Sequence, residues 1–537
     1  MKKTIIIPVL AMLAVSIAAM GRQPDNPTNK LRLAEMAIGR FYVDSVDENR
    51  LVEDAIRSML QTLDPHSAYS TPDETRQLNE PLDGNFSGIG ISFNMLNDTV
   101  RVISTVAGGP SERTGLLPGD RIVRVNDTVI AGVKMLNTDI MKRLRGPKGS
   151  EVDITVIRYS AGRADTIPFR IKRDDIPVYS VDAAYMVDPK TGYIRINKFG
   201  AETAKEVTKA LADLQKKGMT QLILDLTDNG GGYLQAAPDI LGELLEPGSL
   251  AVYMEGRSVP RRDFTVAPSG SKPMFAEGRV VVMTNQYTAS AAEITAGAIQ
   301  DWDRGLIVGR RTFGKGLVQR PIPFPDGSMM RLTVAHYYTP TGRDIQKPYK
   351  KGDQRAYALD IIDRFNSGEL MHADSVKHVD SLRVATKIMN RSVYGGGGIY
   401  PDSFVGLDTT ENTRYYRNIM AKGILLRYAA EYADAHRKEL RAKYKTDDDF
   451  VKHFEVSDAM LDEIRALAEA DKVDYNAEEA ATSAPLFRMI IKALIGRDAY
   501  DTPTYFKVYN EHDPVFIEAR RLINSPDYDR LLSAPAR

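Results

Sequence analysis

The chain has 537 residues, too many for one hydrophobic core, so about three to four domains are expected. Lys+Arg and Asp+Glu both total 71, and this neutral balance gives no reason to expect nucleic acid or an anionic membrane surface as the partner. Cysteine is absent, which excludes disulfides, thiolate metal sites, a lipid-modified N-terminal Cys and a Cys nucleophile.

Residues 1–20 carry Lys2 and Lys3, then an apolar run to Ala19 broken only by Pro8 and Ser16, with small residues at its end. This is the layout of a secretory signal peptide, so export to the periplasm or cell envelope is expected; left uncleaved, the run would tether the chain to the membrane. Residues 21–82 read as a helical segment with Leu51, Ala55, Met59 and Leu60 on one stripe, interrupted by the turns Asp64-Pro65-His66 and Thr71-Pro72. Residues 83–174 hold short β-rich runs at 88–93, 99–106, 121–125, 152–157 and 166–171, punctuated by Gly and Pro, and predict a compact β-domain. In 175–346 strands at 193–199, 222–226, 280–283 and 306–308 alternate with helices at 201–217, from near 233, and at 288–300. That alternation predicts a mainly parallel sheet flanked by helices. An insertion over 347–394 follows, then a short glycine-rich stretch over 395–407, and 408–537 is charged and helical, read as an appendage. The fold class is therefore multidomain α/β.

Three segments could carry chemistry. Asn285-Gln-Tyr-Thr-Ala-Ser290 follows an apolar strand and opens an Ala-rich helix, so Ser290 lies beside free N–H groups and the positive end of the helix dipole, both suited to an oxyanion. A capping hydroxyl is the commoner fate of such a Ser. Lys315, in Thr312-Phe-Gly-Lys-Gly316, has flanking glycines and apolar neighbours; burial there would lower its pKa toward that of a general base. Of seven histidines only His336 lies close to the sheet elements, on an alternating strand where a packed structural role is expected. Gly309, Gly314 and Lys315 approach a Walker A loop, but Gly316 stands where Ser or Thr would hold magnesium, which argues against a nucleotide site. Asp225-Leu-Thr-Asp-Asn-Gly-Gly-Gly232 is a strand-to-helix turn able to aim N–H groups at an anion.

Together, TDNGGG at 227–232, TASAAEI at 288–294 and TFGKGLVQ at 312–319 resemble the C-terminal processing peptidases, also called tail-specific proteases, including the 25 residues from Ser290 to Lys315. Asn85-Phe-Ser-Gly-Ile-Gly-Ile91 and Gly109-Pro-Ser-Glu-Arg-Thr-Gly-Leu-Leu-Pro-Gly-Asp120 are similar to the PDZ domain of that family, as is Leu144-Arg-Gly-Pro-Lys-Gly-Ser150. Leu63-Asp-Pro-His-Ser-Ala-Tyr69 resembles the family's entry segment, and Gly397-Gly-Ile-Tyr-Pro-Asp402 its return to the protease core. The resemblance implies Ser290 as nucleophile, Lys315 as general base, Gln319 one helical turn on as the group that orients the lysine, and Asp301 as a supporting acid near the dyad. It implies an oxyanion hole from Ala291 and either Gly231 or Gly232. Peptide carboxylates would bind at Ser87, Gly88, Ile89, Gly90 and Ile91. Thr227, Gly230 and Ala292 depart from the family's usual Arg, Pro and Ser.

The implied reaction is hydrolysis through an acyl-enzyme, without metal or organic cofactor, on polypeptides with accessible apolar C-termini. The rival reading is a catalytically inactive PDZ scaffold; retention of Ser290, Lys315 and Gln319 together argues against it. The region from Asp408 onward is open to two readings, a homo-oligomer contact or a wall around the substrate.

Overall fold

The computed structural model describes residues 26–533 except 97, 107, 161 and 162. The leader at 1–20 lies outside the described residues.

The entry segment forms three helices, Pro27–Phe41, Glu48–Gln61 and Pro72–Asp83, each begun by a side chain that caps a free N–H: Asn26, Asp47 and Thr71. Thr71 and Glu74 cap each other's main chain, and Gly84 stops the third helix at φ +79°. Between the second and third helices, Ala68–Ser70 is a strand paired with Met329–Tyr338, so this segment is stitched into the α/β domain.

Chain entry to and exit from the β-domain form a ribbon, Asn85–Gly88 against Asp174–Pro177. Inside, a sheet runs in the order Ile91–Leu96, Thr99–Thr105, Arg121–Val125, Glu151–Ser160, Arg163–Lys172, with Thr128–Val129 beside the third strand. The helix Asn137–Leu144 turns Ile140 and Leu144 into a core with Val100, Val102, Ile122 and Ile154. Ile91–Leu96 pairs only with Thr99–Thr105 and so leaves one edge free.

The six-stranded sheet of the following domain has the order Val181–Met186, Thr191–Ile196, Gln221–Asp225, Arg279–Thr284, Leu306–Gly309, Ser403–Phe404. Only its first pair is antiparallel, in agreement with the mainly parallel sheet expected. Strand alternation separates two cores. Ile194, Leu222, Leu224, Val280 and Val282 meet the helices Thr203–Lys216, Ala236–Leu241 and Ala291–Asp301. Tyr193, Ile223, Val281 and Met283 face the other way, onto Val515, Phe516, Leu522 and Tyr528.

Those last residues correct the idea of a C-terminal appendage. The helices Pro514–Ile523 and Asp527–Leu532 are the second cover of the mainly parallel sheet, since such a sheet must be buried on both faces. The helices between Arg414 and Asn510 instead enclose a core of their own around Phe450, Phe454, Ile491 and Leu494. A second, antiparallel sheet was not expected: Ala68–Ser70, Met329–Tyr338, Leu250–Gly256 and Val259–Thr265, with Leu317–Pro323 also on Met329–Tyr338.

Candidate active site

Ser290 stands at the mouth of the helix Ala291–Asp301, every residue of which is buried. It is the N-cap rather than a first-turn residue, with φ +57° and ψ −120°. A non-glycine residue held there costs about 1–3 kcal/mol, so the surroundings must enforce it. They do so through the Asp225–Gly232 turn: Ala289 N–H donates to Asn229 O (2.8 Å), Thr288 Oγ1 to Leu226 O (2.8 Å), and Asp228 N–H to Asn285 Oδ1 (3.1 Å).

Gly231, at φ +89°, lies against the serine. A Cβ there would be 2.7 Å from Ser290 Cβ and 2.8 Å from Ala291 N, so only glycine admits this approach. Its N–H already donates to Asn229 Oδ1 at 2.8 Å. Service to an oxyanion therefore requires release of that bond or donation by Gly232. Thr227, where the family often has Arg, is met by the guanidinium of Arg195, which donates to Thr227 Oγ1 at 2.7 Å and to Asp225 Oδ2 at 2.6 Å.

Lys315 arrives on the loop between Leu306–Gly309 and Leu317–Pro323. A Cβ on Gly314 would sit 3.0 Å from Gly397 C, and one on Gly316 would sit 2.8 Å from Gln346 N, so both glycines allow close passage as expected. The Gly397 contact brings the 395–407 stretch onto the lysine loop, and Ile399 N–H donates to Thr312 Oγ1 at 2.7 Å. Burial holds the ammonium below its ordinary pKa and Arg331 lowers it further, while Glu293 and Asp64 oppose both. Charged groups thus share in a shift that apolar neighbours alone were expected to supply.

The residue that joins the two halves is Glu293. Fully buried, it accepts Ser290 N–H (2.8 Å) and Lys315 N–H (2.9 Å) on Oε2, and Thr312 Oγ1 (2.5 Å) and Gly314 N–H (2.7 Å) on Oε1. Burial pushes its pKa up to about 6, against those hydrogen bonds, which favour the carboxylate. Tyr337 makes a second tie, its hydroxyl donating to Ser290 O at 3.2 Å and to Lys315 O. Neither residue was singled out from sequence, although Ser290-x-x-Glu293 is the spacing of a capping box.

Gln319 lies in a strand, Leu317–Pro323, not one helical turn beyond the lysine, and the ladder is irregular at Val318/Gln319. Its Nε2 donates to Leu317 O and Thr333 Oγ1, both at 3.2 Å, and Thr333 Oγ1 donates to Asp64 Oδ1 at 2.8 Å. Asp301 is not near Ser290 or Lys315, in contrast to the expectation of a supporting acid beside them. It ends the helix that Ser290 begins, eleven residues or about 16 Å away, where it accepts Thr341 N–H and Oγ1 and pairs with fully buried Arg343. His336 is bonded through Nδ1 to Asp344 Oδ2 at 3.1 Å.

The entry segment and the insertion both reach this site. His66 Nε2 is 2.8 Å from the hydroxyl of Tyr357, which belongs to the insertion helix Gln354–Asn366 and packs edge-on against Phe313. Burial, with Lys315 nearby, drives His66 down to about 4, so its imidazole is neutral at pH 7.

In the β-domain Ser87 belongs to the ribbon. Its hydroxyl donates to Asp175 Oδ1 (3.1 Å) and its carbonyl accepts Gly146 N–H (3.3 Å); Gly88 pairs with Asp174 in the same ribbon, and Ile89, Gly90 and Ile91 lead from it into the edge strand. Gly90 has φ +74°.

A strained serine on a buried helix terminus, beside a buried lysine and downstream of a PDZ module, defines a serine peptidase. The description Peptidase family S41 matches residues 190–355, PDZ domain matches 87–175, and a family of unknown function matches 415–501. The chain is 34% identical to carboxy-terminal processing protease CtpB of Bacillus subtilis (strain 168), over 67% of this chain and 75% of that one. It is 35% identical to the carboxy-terminal-processing protease of Bartonella bacilliformis, over 57% and 69%. The solved photosystem II D1 C-terminal processing protease is 30% identical, covering 58% of this chain and 88% of that one, with a TM-score of 0.33. The chain belongs to the carboxy-terminal processing protease family.

Proposed function

We propose that this chain is an exported endopeptidase that cleaves polypeptides captured by their carboxyl termini, with Ser290 as nucleophile and Lys315 as general base. The observation that carries the reading is the shared anchoring of the two residues: Glu293 Oε2 holds both their N–H groups and Tyr337 Oη both their carbonyls. Neutral Lys315 takes the Ser290 proton, the alkoxide attacks the scissile carbonyl, and the lysine then protonates the leaving amine. Ala291 N–H and a glycine N–H of the 227–232 turn stabilise the tetrahedral anion, each donor contributing on the order of 10²-fold. Gln319, Thr333 and Asp64 form the polar wall beside the lysine.

Substrate capture is assigned to the free edge of Ile91–Leu96, where a peptide adds as a strand with its carboxylate on the N–H groups of 88–91. Gating by the PDZ module is supported by the helix Pro72–Asp83, which leads into it: Asp83 Oδ1 accepts Tyr233 Oη at 2.5 Å, and Leu82 packs on Gly232. Export rests on the leader of residues 1–20. The test uses an unfolded protein ending in four apolar residues and its C-terminally amidated twin: internal cleavage of the first and strongly slowed cleavage of the second is expected. Equal cleavage of both contradicts carboxyl-terminal capture.

A further inference from the structure

The helix Asn137–Leu144 approaches the segment that holds Ile91–Leu96 at both of its ends. At one end Arg145 Cγ is within 3.7 Å of the Cβ position of Gly88, and Gly146 N–H donates to Ser87 O. At the other end Asn137 meets Asn94 and Met95 at the wall of a cavity of about 290 Å³. The opposite wall comes from the C-terminal helical region, through Lys422, Gly423, Leu426 and Arg427.

An added peptide strand advances about 3.4 Å per residue. With its carboxylate at 88–91, its fourth and fifth residues from the end draw level with Asn94 and Met95, and the next ones enter the cavity. The cavity is lined by apolar Met95, Ile103 and Leu426 and by cationic Arg101, Lys422 and Arg427. Around it, Arg101 and Arg437 share Asp434, and Arg427 pairs with Asp471 while Lys422 Nζ bonds only the main-chain oxygen of Asp471. Three lining cations, Arg101, Lys422 and Arg427, thus meet two carboxylates, one of them also shared with Arg437. The buried Nε–H groups of Arg101 and Arg427 have no acceptor.

We infer that this cavity is a second substrate subsite, shared by the PDZ domain and the helical region, which selects acidic residues five and six positions from the substrate's carboxyl terminus. The inference rests on the carboxyl-terminal capture proposed above and gives the 415–501 region a role in specificity.

Binding of fluorescent peptides to the full chain carrying Ser290→Ala tests it. A decapeptide with Glu-Glu at those positions is expected to bind about fivefold or more tightly than its Gln-Gln twin, and exposed Lys422→Glu is expected to abolish or invert that preference. A tetrapeptide of the same four terminal residues should bind both forms equally. Equal affinity for the two decapeptides, or a preference unchanged by Lys422→Glu, overturns the subsite while leaving capture intact. A tetrapeptide and decapeptides that all fail to bind overturn capture itself, and the subsite with it.

Discussion

Glu293 Oε2 accepts the main-chain N–H of Lys315 at 2.9 Å, and the same oxygen holds Ser290 N–H at 2.8 Å. The spacing of the proposed nucleophile and base is therefore set by one buried carboxylate as much as by the sheets behind them. Glu293→Gln keeps the volume but turns an amide toward four donors. Leaving buried donors unpaired costs about 1–3 kcal/mol each, so kcat is expected to fall by at least about tenfold at little change in KM.

The same residue gives a signed pH effect. Its folded pKa of about 6 lies above the ordinary 4.5, so the folded state binds the proton more tightly. Its stabilising contribution is full below pH 4.5 and is lost as pH rises to 6, a change of about 2 kcal/mol. Denaturant melts at pH 4.5 and 6.5 should show the unfolding free energy of wild type falling by about 1.5 kcal/mol more than that of Glu293→Gln; parallel pH dependence contradicts the assignment.

Lys315 is held below its ordinary pKa first by burial and then by Arg331. Arg331→Met removes the like charge, so the rising limb of the kcat/KM–pH profile should move to higher pH. Lys315→Arg should be inactive at every pH, because a guanidinium does not release its proton. A limb that moves to lower pH in Arg331→Met contradicts the coupling.

Asp301 acts on the fold rather than on the reaction. Its removal leaves Arg343 charged and buried, at a cost of about 3–5 kcal/mol. Asp301→Ala should lower the Tm and the yield of folded enzyme, while active-site-normalised kcat and the pH profile stay at wild-type values. A shifted profile in fully folded protein contradicts this division of roles.

Gly231→Ala places a methyl 2.7 Å from Ser290 Cβ at a φ of +89°. Turnover should fall by at least about 10²-fold, the effect of a misplaced oxyanion turn.

Much of this was legible in the sequence because it was written in local periodicity. The β-domain strands and the strand–helix alternation of the catalytic sheet repeat at short range, and all appear within a few residues of expectation. What was not legible depended on distant partners. Ala68–Ser70 becomes a strand only because Met329–Tyr338 offers it an edge, and Val515, Phe516 and Leu522 face a sheet whose strands all lie far back along the chain. The resemblance places Gln319 one helical turn beyond Lys315; in the strand these residues form, Gln319 instead joins Thr333 and Asp64. Asp301 could not be placed by sequence distance, since the helix between it and Ser290 carries it away from the chemistry.

The most direct test compares wild type, Ser290→Ala and Lys315→Ala on an unfolded protein ending in apolar residues, with fragments read by mass spectrometry and folding checked by circular dichroism. Cleavage by wild type and none by either folded variant is the predicted result. Equal cleavage by all three would contradict the dyad and move the nucleophile elsewhere.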